Sequence, residues 1–411
     1  MKGHMISSPQ DISPVSGPPD TWQSVSTTIS YYAAIFALGL AATVVGPTLP
    51  GLAKHTHTDL STISFLFPAR ALGYMLGSLQ SGRWYDHLPG HAVLAAGLLM
   101  MAVAMVLTPL MSLLWALTAA FLVLGVADGM VDVGSNTLLV WVYRDKVGPF
   151  MNGLHFSFGI GALLAPVVIA QAMAISGDIA WAYWVLAVLM LPGALWVLRL
   201  PSPTVPIGTH DGPTARGNRV LLVLIALFMA LYVGAETGFG GWIFSYAVAL
   251  HLSDAPGAAY LTAAFWGALT VGRLLSVPLA TRVRPSTIVL GDLVGCLVSV
   301  GIMTLKAQSV IAIWLGTCGL GLFMASIFPT TLVFAERRMV ITGRVTSWFL
   351  VGAGVGGMSL PWLIGQLFES MGPHVLLGTV MAALLVATGV FGIIMRCSMR
   401  PAMHNDAKVG L

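Results

Sequence analysis

Gly159-Ile-Gly161-Ala-Leu-Leu-Ala-Pro166, followed by Ile169 and Gln171, returns later in the chain as Gly354-Val-Gly356-Gly-Met-Ser-Leu-Pro361, followed by Ile364 and Gln366, at one constant offset. Both copies sit inside long apolar runs. A looser echo, Asn136-Thr-Leu-Leu-Val against Thr330-Thr-Leu-Val-Phe, accompanies them. Glycines coincide often in apolar helices, so the repeat gains its weight from the topology around it.

Only 8% of the 411 residues are charged and 57% are hydrophobic, and the mean hydropathy is +0.88. A soluble domain carries about 25% charged residues, so the chain reads as an integral, multi-pass, all-α membrane protein. Apolar stretches of the ~20 residues needed to cross about 30 Å of hydrocarbon fall at 27–52, 60–82, 91–111, 113–141, 149–173, 179–200, 219–250, 256–281, 286–305, 308–335, 343–369 and 373–396. These twelve spans are divided six and six by the Pro-, Gly- and Thr-rich loop 201–218, and the repeat places the fifth and eleventh spans in equivalent positions. The expected organisation is an N-terminal tail 1–26, a six-helix bundle 27–200, the linker 201–218, a second six-helix bundle 219–396 and a C-terminal tail 397–411. Repeated halves around a central site are a transporter architecture.

Lys and Arg concentrate on the side of the termini, at Arg83, Arg144, Lys146, Arg199, Arg282, Arg284, Arg337, Arg338 and Arg396 among others, whereas Lys54 and Lys306 stand opposite. The positive-inside rule then puts both termini in the cytoplasm. The net charge of +4 serves this topology. Its carriers are scattered singly and form no run suited to a nucleic-acid backbone, so no nucleic-acid partner is expected. The polar, Ser- and Pro-rich start has no signal-peptide pattern and reads as a flexible cytoplasmic tail. Cys296, Cys318 and Cys397 have neither disulfide nor metal spacing and read as small core residues. No paired His-Glu metal motif, nucleophile elbow or Gly-rich phosphate loop appears, which argues against an enzyme, and no symmetric selectivity filter marks a channel.

The loop Gly82-Arg-Trp-Tyr-Asp86-His87-Leu-Pro-Gly90-His91 resembles the signature of the major facilitator superfamily, a Gly, an Asp four residues on, then Arg, Gly and Arg or Lys. Asp86 and the two glycines, Gly82 and Gly90, stand in place. His87 and His91 replace the usual basic residues and one extra residue precedes Gly90. The resemblance covers nearly the whole chain and implies twelve transmembrane helices in two pseudo-symmetric six-helix bundles. It also implies a working monomer, and a gating role for Asp86 against the start of the eleventh helix, whose amino terminus carries partial positive charge. Three stretches, Gly125-Val-Ala-Asp128-Gly-Met-Val-Asp132-Val-Gly-Ser-Asn136, Leu154-His155-Phe-Ser-Phe-Gly to Pro166, and Tyr232-Val-Gly-Ala-Glu236-Thr-Gly-Phe-Gly-Gly-Trp242, are similar to the fucose permease group and to the related sodium-dependent glucose transporters. In fucose permease a carboxylate at the position of Asp132 belongs to the substrate and proton site. That group's first-helix Asp is missing here, where Val44-Val45-Gly46-Pro47 stands, so sodium coupling or another carboxylate remains open.

An ionised group at the bilayer centre costs roughly 2.5–3.5 kcal/mol on insertion scales and therefore faces protein or a water-filled path. Asp128, Asp132 and Asn136, spaced i, i+4 and i+8, form one stripe on the fourth helix, and Gly125, Gly129 and Gly134 beside them admit a close neighbour. Two carboxylates one turn apart do not both stay charged in a low dielectric without a cation. Either one holds a proton or a metal ion sits between them, or one pairs with Arg70 or Arg273. Glu236 precedes Gly238, Gly240 and Gly241, which are expected to loosen or break the seventh helix around a site. Asp132, Asn136 and Glu236 supply hard oxygen ligands for a sodium ion; no cofactor beyond a coupling sodium or proton is expected.

His155 reads as either a packing residue or a substrate contact. Gln171 and Trp242 are the favoured sugar contacts among Gln80, Gln171, Gln366, Trp242, Trp266, Trp348 and Trp362, since amides bond hydroxyls and indoles pack on pyranose rings. Arg70 and Arg273 read first as structural partners of Asp128, Asp292 or a carbonyl. The functional expectation is a symporter of a bacterial inner (plasma) membrane moving a hexose or similar small polar solute by alternating access. The competing expectation is a multidrug or metabolite efflux antiporter of the same fold, to which the 21 Met residues would lend an adaptable surface.

Overall fold

The computed structural model describes residues 21–203, 219–339 and 343–399, and their regular structure is entirely helical. In chain order the helices are α1 (Thr21–Ala42), α2 (Val45–His55), α3 (Leu60–Ile63), α4 (Leu66–His87), α5 (Gly90–Leu107), α6 (Leu114–Tyr143), α7 (Gly148–Ser176), α8 (Ala180–Leu198), α9 (Arg219–Ala249), α10 (Ala255–Arg282), α11 (Pro285–Leu305), α12 (Val310–Met324), α13 (Ile327–Glu336), α14 (Gly343–Met371) and α15 (Val375–Met399). Three passes are interrupted, α1 with α2, α3 with α4, and α12 with α13, so fifteen helices make twelve crossings. Eleven crossings are long and apolar enough to span a bilayer by themselves. The twelfth, α4, carries Arg70, Gln80, Arg83 and Asp86 and owes its place to its neighbour α6.

Most of the expected tail 1–26 lies outside the described residues, as do 204–218 of the linker and 400–411 of the C-terminal tail; α1 is already helical at Thr21. The turns at the end away from the termini have explicit stops. Asp59, Asp254 and Ser309 cap α3, α10 and α12 by accepting from Thr62, Gly257 and Ala312 N–H groups, which satisfies donors that a helix start leaves free. Gly177, at φ 71°, ends α7 in the left-handed conformation that glycine adopts without strain.

The expected break after Glu236 does not occur. α9 runs unbroken from Arg219 to Ala249, and its glycines serve contact instead. A Cβ on Gly46 of α2 would stand 2.7 Å from the Gly240 carbonyl, and one on Gly241 would meet the Phe67 ring at 2.9 Å. At two of the three interruptions a side chain bonds a neighbouring helix. Thr43 donates to the Ala162 carbonyl at 3.1 Å between α1 and α2, and Ser326 donates to Asp292 between α12 and α13.

The repeat noted in sequence does the same work twice. A Cβ on Gly161 of α7 would collide with the Phe36 carbonyl of α1, and one on Gly356 of α14 with the Ala230 carbonyl of α9. In each half the fifth span thus packs backbone to backbone on the first, which is the pseudo-symmetry of the fold. Described hydrogen bonds that join the halves all lie at the end away from the termini. Glu369 accepts from Leu60 N–H at 2.8 Å, Gln366 bonds Ser61 and Ser64, and Gln171 bonds Tyr260. Cys296 is buried as expected, whereas Cys318 is exposed on α12.

Candidate functional site

Asp128 and Asp132 owe their partners to the glycine stripe of α6. Cβ atoms on Gly125 and Gly129 would strike the carbonyls of Arg70 and Tyr74 on α4, so the two backbones run in contact. Arg70 and Tyr74 are themselves one turn apart, and their side chains drop onto the carboxylates one turn apart on α6. Arg70 Nη2 lies 2.7 Å and Nε 2.8 Å from Asp128 Oδ2, and Nη1 reaches the Ala42 carbonyl at the end of α1. Asp128 is buried, and its Oδ1 has no protein partner.

The cation that two neighbouring carboxylates require is therefore supplied to Asp128 by Arg70. Asp132 has no such partner. Its Oδ2 accepts from the Tyr74 hydroxyl and its Oδ1 from the Asn136 amide at 2.9 Å, which is the arrangement of an ionised carboxylate that can only accept. Among the described residues no Lys, Arg or His lies within 4 Å of it. Tyr74 was not singled out by sequence; its i, i+4 spacing from Arg70, matching that of Asp128 and Asp132, is the signal that identifies it.

In the second half Glu236 lies on α9 beside Tyr232, whose hydroxyl also stands 2.9 Å from the Met324 carbonyl, the last residue of α12. Arg273 of α10 is within electrostatic reach of Glu236 and of His155 on α7, yet no carboxylate among the described residues approaches it within 4 Å. The pairings considered for Arg273 are taken elsewhere, since Asp128 holds Arg70 and Asp292 holds Ser326. His155 is exposed rather than packed. It lies one turn before Gly159, which abuts Thr270 of α10.

Of the set named for a sodium ion, Asp132 is bonded to Asn136 on α6, and Glu236 stands on α9. The pair and Glu236 belong to opposite halves, and no described hydrogen bond or ion pair links them. Trp242 is fully buried, donates to the Pro361 carbonyl at 2.8 Å and is packed between Phe67 and Phe368. Gln171 sits near the end of α7, bonded to Tyr260. Both are occupied in holding helices together, whereas the indole N–H groups of Trp266 and Trp362 are buried without protein partners.

Of the gating residues, Asp86 is exposed at the end of α4 and makes no hydrogen bond or ion pair among the described residues. The start of the eleventh span, against which it is expected to lock, includes 340–342, outside the described residues. Gly82 borders open space, and a Cβ on Gly90 would press on Leu138 at 2.5 Å. His91, which replaces a basic residue of the signature, is buried; it bonds the Tyr31 hydroxyl at 2.8 Å and the Leu200 carbonyl at 2.9 Å. A surface hollow of about 470 Å³ beside Lys54, His57 and Leu110 opens at the opposite end and contains none of the intramembrane carboxylates.

Among the described residues, twelve crossings form two like halves with charged groups held inside each and hydrogen bonds between the halves at one end, which is the build of a membrane transport protein. The profile of the Major Facilitator Superfamily matches residues 31–361. Sodium-dependent glucose transporter 1A of Mus musculus is 29% identical over 92% of this chain and 98% of its own length. Sodium-dependent glucose transporter 1 of Homo sapiens is 30% identical over 82% of this chain and 72% of its own. The fold is similar to a bacterial homolog of the human lysosomal transporter Spinster in an inward-facing and occupied conformation, with a TM-score of 0.73 at 13% identity, covering 94% of this chain and all of that one. It is also similar to the nucleoside transporter NupG, with a TM-score of 0.70 at 13% identity over 92% and 99% of the two chains. The chain belongs to the Major Facilitator Superfamily. It is a transporter and not an enzyme.

Proposed function

We propose that the protein moves a hexose or similar neutral polyol across a bacterial inner membrane by alternating access, with both termini in the cytoplasm and a sodium ion bound at Asp132 as the driving cation. The observation that carries this reading is the unbalanced charge of Asp132. Arg70 neutralises Asp128, and Arg273 faces Glu236 across a longer gap. Asp132 has only the neutral donors Tyr74 and Asn136. A half-buried carboxylate within a membrane span is costly without a counter-charge, and a bound cation removes that cost. The names of the relatives agree with sodium as that cation, and the absence of a basic group beside Asp132 favours a neutral solute.

Trp266 and Trp362 have indole N–H groups without protein partners that suit sugar oxygens, and His155 on α7 is exposed. The test is uptake of labelled hexoses into liposomes carrying the purified protein, under an inward sodium gradient, an inward proton gradient, or neither. Acceleration by sodium that disappears in Asp132→Ala supports the reading. Gradient-driven uptake that survives Asp132→Ala overturns it.

A further inference from the structure

The two unpaired carboxylates are built for opposite protonation states. Each oxygen of Asp132 has its own donor, Tyr74 for Oδ2 and Asn136 for Oδ1. Glu236 is different. Tyr232 Oη stands within hydrogen-bonding distance of both Glu236 Oε2 and the Met324 carbonyl oxygen. A phenol has one hydrogen. With Glu236 ionised, that hydrogen lies in one of the two contacts, and the other brings two oxygen lone pairs together with no hydrogen between them. With Glu236 carrying a proton, its O–H donates to Tyr232 Oη, and the Tyr232 hydroxyl donates onward to the Met324 carbonyl, so each of the two contacts holds a hydrogen.

We infer that Glu236 carries a proton in this conformation and that Tyr232 relays its presence to the interruption of the tenth span. Met324 is the last residue of α12, and the helix resumes at Ile327 as α13. When Glu236 releases its proton to the path between the halves, the Tyr232 hydrogen turns to the new carboxylate and the Met324 carbonyl loses its donor. One proton therefore fastens or frees the joint between α9 and the α12 end. The ionisable groups facing Glu236 are Tyr232 on its own helix, Arg273 on α10 and Cys296 on α11, with Asp292 beyond that cysteine and His155 beyond that arginine. Arg273 opposes the protonated state, yet it makes no ion pair with Glu236 and leaves the hydrogen-bond arithmetic as it stands.

The inference rests on the reading of the chain as a cation-coupled transporter only for its consequence, the pH dependence of transport. The proton itself is observable without transport. Infrared difference spectra of the full chain in lipid at neutral pH are expected to show a protonated-carboxyl C=O band. The band should be lost in Glu236→Gln, shifted in Tyr232→Phe, where the acid has lost its acceptor, and retained in Asp292→Asn. Absence of the band in the parent protein, or its persistence unshifted in both Glu236→Gln and Tyr232→Phe, overturns the inference. In liposomes Glu236→Gln is expected to lose the pH dependence of solute exchange. An unaltered pH profile there also overturns it. Failure of all hexose transport with the band present would sink the functional reading while leaving the proton assignment standing.

Discussion

Two aspartates on one face of α6 have separate tasks because only one of them meets a cation. Asp128 is enclosed with Arg70, and breaking a buried ion pair by removing one partner costs about 3–5 kcal/mol because the other charge is left bare. Asp128→Ala is expected to lower thermal stability in detergent by that order, and Arg70→Leu combined with Asp128→Leu to restore most of it. Unfolding midpoints of the two variants check this. Asp132→Asn removes a charge while keeping a side chain that Tyr74 and Asn136 can bond, so it should fold and exchange solute but fail to accumulate it against a gradient. Counterflow measured beside gradient-driven uptake separates the two. The stripe Asp128, Asp132 and Asn136 was legible because i, i+4 spacing states which side chains share a face. The partner of Asp128 was not, since both Arg70 and Arg273 were eligible and the choice depends on which helix the glycines of α6 admit.

At the scale of helices, small residues decide which backbones touch, and this was read correctly for α6 and incorrectly for α9. Gly238, Gly240 and Gly241 looked like a break because glycine weakens an isolated helix. Inside the bundle the helical hydrogen bonds persist, and the missing side chains instead make room for α2 at Gly46 and for Phe67. Two of the three interruptions, at Thr43 and at Ala325 to Ser326, involve residues that look ordinary in sequence. Their partners, the Ala162 carbonyl and Asp292, lie on other helices, and local propensity carries no record of them. The contact between α4 and α6 gives a direct test. A Cβ on Gly129 would lie 2.5 Å from the Tyr74 carbonyl and 2.6 Å from Ser78 N, both backbone atoms that yield only if the helices part. Gly129→Ala should cost about 1–3 kcal/mol, the usual range for overpacking, and should weaken sodium-driven uptake by drawing Tyr74 off Asp132. A thermal shift with unchanged sodium dependence would show that the Tyr74 contact tolerates the displacement.

For the whole molecule, the six-plus-six arrangement was legible from the repeat and from the Lys and Arg positions, but which end is fastened was not, because the bonds that fasten it join residues about 300 positions apart. In this state the halves are fastened at the end away from the termini, with Gln366 and Glu369 of α14 holding α3, while Asp86 at the other end is unpaired among the described residues. Each such hydrogen bond contributes about 0.5–1.5 kcal/mol net, and a ligand or mutation moves a two-state population only by its differential effect on the two states. Gln366→Ala with Glu369→Ala removes four of them, about 2–6 kcal/mol on that scale, and should shift the balance toward the state open at that end by a factor of roughly 30 or more. Acid should push in the same direction. Hydrogen bonds from the side chain and backbone N–H of Thr62 hold the Asp59 carboxyl below its ordinary value, so its capping of α3 is fully present above the ordinary aspartate range and is lost as pH falls through the lowered one. Spin labels at Lys54 and Ser370, one in each half at the fastened end, read the separation directly. A longer distance should gain population in the double variant and on acidification. An unchanged distribution in both would mean that the packing of Gly46 on Gly240, rather than the polar clasp on α3, keeps that end shut.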